Sequence, residues 1–162
     1  MLLEQLITKI KIHPYMSTVF KAMTIAKEAH AGQYDKAGME YYDHPLRVMK
    51  MCKTETEKIV GILHDVVEDS EWTFEMLENA GFSAEIIDAL KCLTKESDED
   101  YDHYISRIKT NKLATRVKLN DLRDNMDVNR LNKITDADIE RIVKYMRAYK
   151  ELATHLKSDI EA

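Results

Sequence analysis

Four glycines and two prolines punctuate a chain of 162 residues, roughly a third of the usual ~12% share of these residues. An all-β sandwich or barrel needs turn residues about every ten positions, and this sequence cannot supply them. The expected fold is therefore all-α, a bundle of about eight helices. Hydrophobic residues at 44% fill a core and charged residues at 33% clothe the outer helix faces, so the composition is that of a folded chain rather than a disordered one. The length suits a single domain over residues 1–162.

Apolar spacing places the helices. Leu3, Leu6, Ile7 and Ile10 predict a short first one before Pro14, and Val19, Met23, Ala26 and His30 a second from about Met16 to Ala31, ended by Gly32. Residues Gln33 to Asp43 lack helical period and read as a loop. Asp43 is placed to cap the next helix, with Pro45 in its first turn. Thr54 and Glu57 form a capping-box pattern opening a helix that runs on through Val67. Short helices are expected from Phe74 to Asn79 and from Ser83 to about Leu93, then a solvated acidic connection from Glu96 to Asp102. A helix over Tyr104 to Lys109 precedes a long one from near Asn111 to Asn129. Thr135 and Asp138 cap a last amphipathic helix carrying Ile139, Ile142, Met146, Tyr149 and Leu152, with Arg141, Lys144, Arg147 and Lys150 on its solvated face.

Net charge is −5 with a pI near 5.7. No basic stripe suited to a phosphate backbone is present, so nucleic-acid polymers are not expected as partners. Cys52 and Cys92 form no CxxC pair and read as free buried thiols of a reducing cytoplasm. No apolar run approaches the ~18 residues of a membrane span, and the N-terminal stretch carries Glu4, Lys9 and Lys11 without a small-residue cleavage site. The expected location is cytoplasmic, with no membrane partner.

Chemistry concentrates in Leu63-His64-Asp65-Val66-Val67-Glu68-Asp69. On a continuous helix His64 stacks over Glu68 and Asp65 over Asp69, on two stripes bordering one cavity. Three carboxylates and an imidazole half-buried without compensation cost several kcal/mol, a cost that a divalent cation offsets. Further ligands must come from other helices, with His30 and Asp121 as candidates. Two imidazoles and two carboxylates suit a borderline ion such as Mn²⁺, and the absence of thiolates argues against structural zinc. Taken singly, each residue has a plainer reading. His-Asp dipeptides are common, His30 could be a hydrogen-bonded core histidine, and Asp121 could pair with Arg123. His13, His103 and His155 read as surface or packing residues, Tyr41 and Tyr42 as core or rim.

The order His30, His64-Asp65, Asp121 resembles the H…HD…D arrangement of HD-domain metal-dependent phosphohydrolases. Finer motifs resemble the Rel/SpoT-type hydrolase domain, which removes the 3′-pyrophosphate of guanosine penta- and tetraphosphate. Ala29-His30-Ala31-Gly32-Gln33 is similar to its AHxGQ, and Lys36-x-Gly38 with Tyr41-x-x-His44-Pro45 to its KSGxxYxxHP loop. The segment Leu63 to Asp69 is similar to LLHDxxED, Thr94-Lys95 to a threonine-lysine pair, and Lys118 to Met126 to KLADRxxNM. The resemblance covers about residues 20–130. It implies His30, His64, Asp65 and Asp121 as metal ligands, Glu68 and Asp69 as the pair that activates and positions the attacking water, and Lys36, His44 and Asn125 as substrate contacts, with His44 reaching Glu68 or a phosphate oxygen. A carboxylate one turn beyond a metal ligand is placed to accept the water's proton.

This chain departs from the pattern at Asp35, which stands where the family has an arginine, at Asp124 in place of a histidine, and at Asp127-Val128 in place of Arg-Thr. Three acidic positions are expected to repel a polyanion. The implied function is Mn²⁺-dependent hydrolysis of a phosphorylated nucleotide, with guanosine 3′,5′-bis(diphosphate) as first candidate. Another nucleotide or phosphoester, or a non-catalytic nucleotide-binding module, are the alternatives. The sequence leaves the oligomeric state open.

Overall fold

The computed structural model describes residues 18–131 and 133–161, with side chains through residue 158. The expected first helix at Leu3–Ile10, and His13, lie outside the described residues. Order along the chain is α1 (Thr18–Ala29), α2 (Asp43–Met51), α3 (Glu55–Leu63), α4 (Val66–Asp69), α5 (Phe74–Asn79), α6 (Ala84–Leu93), α7 (Tyr101–Lys109), α8 (Lys112–Asn125), a 3₁₀ turn (Val128–Arg130) and α9 (Asp136–Glu161). The only β-type pairing among the described residues is one antiparallel bridge, Tyr34 to Glu40. No described helix is long and apolar enough to cross a membrane.

Helix α3 is the centre of the packing. Ile59, Val60, Gly61, Ile62 and Leu63 are all buried, and the helix touches α1, α2, α6 and α8. A helix apolar on every side must be enclosed by others. Its start is the expected capping box. Thr54 Oγ1 accepts from the Glu57 N–H at 3.1 Å, and the Glu57 carboxylate reaches back to the Lys53 and Thr54 N–H groups. Helix α8 is the second hub, meeting α2, α3, α6, α7 and α9. It delivers Asp121 and Asp124 into the interior among Val117 and Leu122.

Several expectations need correction. The helix from Thr54 does not run through Val67; it breaks at His64–Asp65. The His64 imidazole Nδ1 bonds the Gly61 carbonyl at 2.8 Å, Asp65 sits at φ −100° and ψ −4°, and α4 starts afresh behind it. Asp43 is the first residue of α2 rather than its cap, and Tyr42 at the cap position makes no side-chain capping bond. Helix α8 stops at Asn125, and Asp127 caps the following 3₁₀ turn by accepting from the Asn129 N–H at 3.1 Å. In the acidic connection, Glu99 is not simply solvated, since Arg107 grips both its oxygens at 2.8 and 2.6 Å. On α9 the inner stripe is Tyr145, Ala148, Tyr149 and Leu152, while Ile139 and Met146 are about half exposed. Contacts to α7 and α8 run through Tyr145, Tyr149 and His155, so only the later turns of α9 lie on the core. Lys144 lies over the Tyr101 ring at 4.6 Å, and Arg141 turns to a cavity described below. Both cysteines are free, Cys52 buried and Cys92 half-buried.

Two features place the site. Gly32 at φ +78° and Gly38 at φ +80° take left-handed turns that return the loop between α1 and α2 to the core, at conformations costly for a side chain. At Gly61, a Cβ would stand 3.0 Å from Cys52 Sγ and 3.3 Å from Met49 Cα, so α2 and α3 meet at the absence of a side chain. Gly61→Ala is expected to lower stability by about 1–2 kcal/mol, overpacking outweighing the better helix propensity of alanine. Thermal or denaturant unfolding checks this, and equal or higher stability would contradict the close packing.

Candidate active site

The break after α3, the start of α2, the inner face of α8 and the end of α1 bring three imidazoles and two carboxylates together. His44, His64 and Asp121 are buried and offer atoms all within 4.8 Å of one another, a spacing that one divalent ion can bridge. Asp65 joins them, its Oδ2 3.2 Å from His64 Nε2 and 3.6 Å from His44 Nε2. His30 is also buried but lies outside that tight triad. It stands against Tyr41, ring centres 5.1 Å apart, and the Tyr41 hydroxyl donates to Asp65 Oδ2 at 2.7 Å. Sequence reasoning placed His30 at the ion and His44 at the substrate; in the structure His44 is the imidazole beside His64 and Asp121.

The three imidazoles differ in how their nitrogens are used. His44 donates from Nδ1 to Asp124 at 2.7 Å and from Nε2 toward Asp121 at 3.1 Å. Burial pulls its pKa down, but the bonds to Asp121 and Asp124 outweigh this and push it up to about 10. In the metal-free protein these bonds favour the imidazolium form, and they use both ring nitrogens. His30 and His64 are each held through Nδ1, by Gln33 Oε1 and the Gly61 carbonyl, both at 2.8 Å. Their Nε2 atoms are buried and without a hydrogen-bond partner. Buried polar atoms are nearly always satisfied, so two such nitrogens next to carboxylates are an opening for a cation. The donor set of nitrogen and carboxylate oxygen, without thiolate, suits a divalent cation.

Lys118 was not singled out as a site residue by sequence reasoning. Its ammonium lies 2.7 Å from Asp121 Oδ2 and 5.1 Å from the Tyr104 ring centre. Burial raises the Asp121 carboxyl, yet Lys118, His44 and His64 hold it well below its ordinary value. The i, i+3 spacing of Lys118 and Asp121 was the available signal. Tyr41, read as core or rim, is a second such residue.

Glu68 and Asp69 open to solvent at the mouth. Glu68 Oε2 accepts from the Lys95 N–H at 2.9 Å, which is what the Thr94-Lys95 pair contributes. Partial desolvation, with neighbouring Asp65, raises both carboxyl groups above their ordinary values. Gln33 donates to the Asp69 carbonyl at 2.7 Å and so ties His30 to this segment. A cavity of about 340 Å³ adjoins the cluster, lined among others by Lys36, Tyr41 and Asn125. Asn125 also donates to Asp121 Oδ1 at 2.6 Å.

The expected repulsion from the three acidic departures is largely cancelled. Asp124 is gripped by Arg47 Nε at 2.7 Å, by His44, and by Arg130 Nη2 at 3.3 Å. Against burial, which raises it, the bonds from His44 and Arg47 bring its carboxyl down to about 2. Asp35 accepts two backbone N–H groups and lies 3.6 Å from Arg130, while Asp127 is spent on its cap. His103 is exposed beside Glu99, and His155 packs on the Lys109 carbonyl at 3.2 Å.

No family model matches the chain. Curated relatives named guanosine-3′,5′-bis(diphosphate) 3′-pyrophosphohydrolase do. That of Borreliella burgdorferi is 35% identical over 85 residues, 50% of this chain and 13% of its own length. That of Haemophilus influenzae is 39% identical over 77 residues, 44% of this chain and 11% of its length. That of Aquifex aeolicus is 28% identical over 138 residues, 76% of this chain and 20% of its length. The chain thus corresponds to a small part of these longer proteins. Among solved structures, one described as a metazoan ortholog of SpoT that hydrolyses ppGpp shares the fold, with a TM-score of 0.69 over 87% of this chain and 86% of that one at 22% identity. The fold is the all-helical one of that domain, and the similarity of the sequence is to the Rel/SpoT HD type.

Asp124 and His44 set a pH dependence for the metal-free protein. Asp124, lowered to about 2, contributes stability present above its unfolded value of ~3.9 and lost as pH falls from there. His44, raised to about 10, contributes stability complete below ~6.5 and lost as pH rises. Melting temperature should fall on both sides of a plateau. Asp124→Asn should flatten both limbs, only in part for His44, which keeps Asp121, and cost about 3 kcal/mol by removing the buried anion that His44, Arg47 and Arg130 share. Unaltered limbs in that variant would contradict the pairing.

Proposed function

We propose that the chain is a divalent-metal-dependent phosphohydrolase that removes the 3′-pyrophosphate of guanosine 3′,5′-bis(diphosphate), with Mn²⁺ as its ion. The observation that carries this reading is the buried cluster in which His64 Nε2 lies 3.2 Å from Asp65 and 3.6 Å from Asp121, with the Nε2 atoms of His64 and nearby His30 both lacking a hydrogen-bond partner. The curated relatives' names and the motifs over residues 20–130 supply the substrate.

His30, His64, Asp65 and Asp121 would hold the ion, and His44 and Lys118 orient Asp121 from either side. Such a cation supplies Lewis acidity toward a phosphoryl oxygen and makes water a better nucleophile. Glu68, anchored by the Lys95 N–H, accepts the proton of the attacking water, a task its raised basicity suits. Asp69 positions that water. Lys36 and Asn125, lining the adjoining cavity, hold the nucleotide so that its 3′-diphosphate lies against the cluster. Tyr41 fixes Asp65 through its hydroxyl.

The test is turnover of guanosine tetraphosphate by purified protein with added Mn²⁺, beside Asp65→Ala and Glu68→Ala. The expected result is release of pyrophosphate by the wild type. Glu68→Ala should lose ~10²–10⁴ in rate with metal retained, and Asp65→Ala should lose the metal itself. Wild-type rates in both variants, or no turnover by the parent protein, would refute the assignment.

A further inference from the structure

The cavity beside the cluster is lined by two kinds of residue. Tyr41 and Asn125 line it and bond Asp65 and Asp121. Arg130, Asp35 and Arg141, which make no bond to the cluster carboxylates Asp65 and Asp121, line it as well. A ligand filling it therefore presents one part to the cluster and another to these charges.

Arg130 is built unlike an ordinary surface arginine. Its Nη2 donates to the Asp124 carbonyl at 2.7 Å and lies 3.3 Å from the Asp124 carboxylate, fixing the guanidinium in place. Toward the cavity it meets Asp35 Oδ2 through Nη1 at 3.6 Å, beyond hydrogen-bond length. Its Nε is buried with no hydrogen-bond partner, so the side chain is not fully satisfied where it stands. Asp35, for its part, does not depend on Arg130. Its other oxygen accepts from the Ala37 and Met39 N–H groups at 2.8 and 2.9 Å. Asp35 can give up the arginine without being stranded. Of the other cations on this cavity, Arg141 is paired with Asp138 at 3.0 Å, and Lys36 is a flexible point charge.

We propose that Arg130 is a specificity-determining residue for a second phosphate group of the nucleotide, the one not cleaved, and that Asp35 is the anion this phosphate displaces. A phosphate brings several oxygens to a planar guanidinium already held from behind by Asp124, giving charge-assisted bonds shorter and stronger than the 3.6 Å contact it replaces. The anchoring reduces the ordering cost of binding. The pocket thereby selects nucleotides phosphorylated at two positions, one group at the cluster and one at Arg130. This rests on the proposed hydrolase reading, but its test does not require turnover.

The experiment is calorimetric titration of guanosine 5′-diphosphate, guanosine and inorganic phosphate into the full chain in EDTA, where no cation can hold the diphosphate. Wild type, Arg130→Met, Arg130→Lys, Asp35→Asn and the Arg130→Met/Asp35→Asn double variant are compared. Arg130→Met should weaken guanosine 5′-diphosphate about tenfold or more and leave guanosine unaffected. Asp35→Asn should tighten the diphosphate several-fold in the wild-type background and not in the Arg130→Met background. Inorganic phosphate should bind more weakly than the nucleotide. Should Arg130→Met fail to fold by circular dichroism, Arg130→Lys, with its charge kept but its planar fork lost, should show an intermediate loss. Equal diphosphate affinity in wild type and the Arg130 variants overturns the proposal. So does an Asp35→Asn effect of the same size in both backgrounds, which would be unspecific charge removal, and so does a wild type that binds no diphosphate. Absence of hydrolysis with these binding differences intact would fell the hydrolase reading and leave this one standing.

Discussion

Buried charge in need of a counter-charge governs this molecule. His44, His64, Asp121 and Asp124 all sit in the interior, less than a tenth exposed, where an uncompensated ion costs several kcal/mol. The compensation runs as an alternating chain. Lys118 faces Asp121, Asp121 faces His44, His44 faces Asp124, and Asp124 faces Arg47 and Arg130. Asp35 ends it at the surface. Each group is tolerable only because of its neighbours, so this chain registers α2 against α8, while the close approach at Gly61 registers α2 against α3. Beside this chain, the Nε2 atoms of His30 and His64 are buried without a hydrogen-bond partner.

The backbone is arranged to present those nitrogens. A continuous helix from Thr54 to Val67 would turn His64 and Asp65 to different faces. The break after Leu63, held by His64 Nδ1 on the Gly61 carbonyl, instead leaves His64 Nε2 beside Asp65 and sends Glu68 and Asp69 toward the mouth. The loop between α1 and α2, reversed at Gly32 and Gly38, lays Tyr41 against His30 and carries Asp35 to the cavity wall. A rigid cluster and a charged cavity wall result from the same few turns.

Much of this was legible in the sequence. Scarcity of Gly and Pro fixed the all-helical class, and the Thr54–Glu57 and Thr135–Asp138 pairs marked helix starts because capping chemistry is local. The ordered set from His30 to Asp121 pointed to one locus, where the structure brings His64, Asp65 and Asp121 together with His44, while His30 stands against Tyr41. Three things were not legible. The break at His64 depends on a side-chain-to-backbone bond that competes with the helix, which periodicity cannot see. The neutralisation of Asp124 depends on Arg47 and Arg130, 77 and 6 residues away, so three acids counted along the chain looked repulsive when in space two of them are paired. The engagement of His44 at both nitrogens, by Asp124 and Asp121, is likewise a fact of tertiary structure.

The central claim is that a single divalent ion is held among residues from α1, the α3–α4 break and α8. Anomalous scattering from a crystal of the protein grown with Mn²⁺ tests it directly. The account predicts one peak at about 2.0–2.3 Å from His30 Nε2, His64 Nε2 and an oxygen each of Asp65 and Asp121, with His44 still bonded to Asp124. A peak ligated by His44 in place of His30, or no peak in this cluster at saturating Mn²⁺, would contradict it.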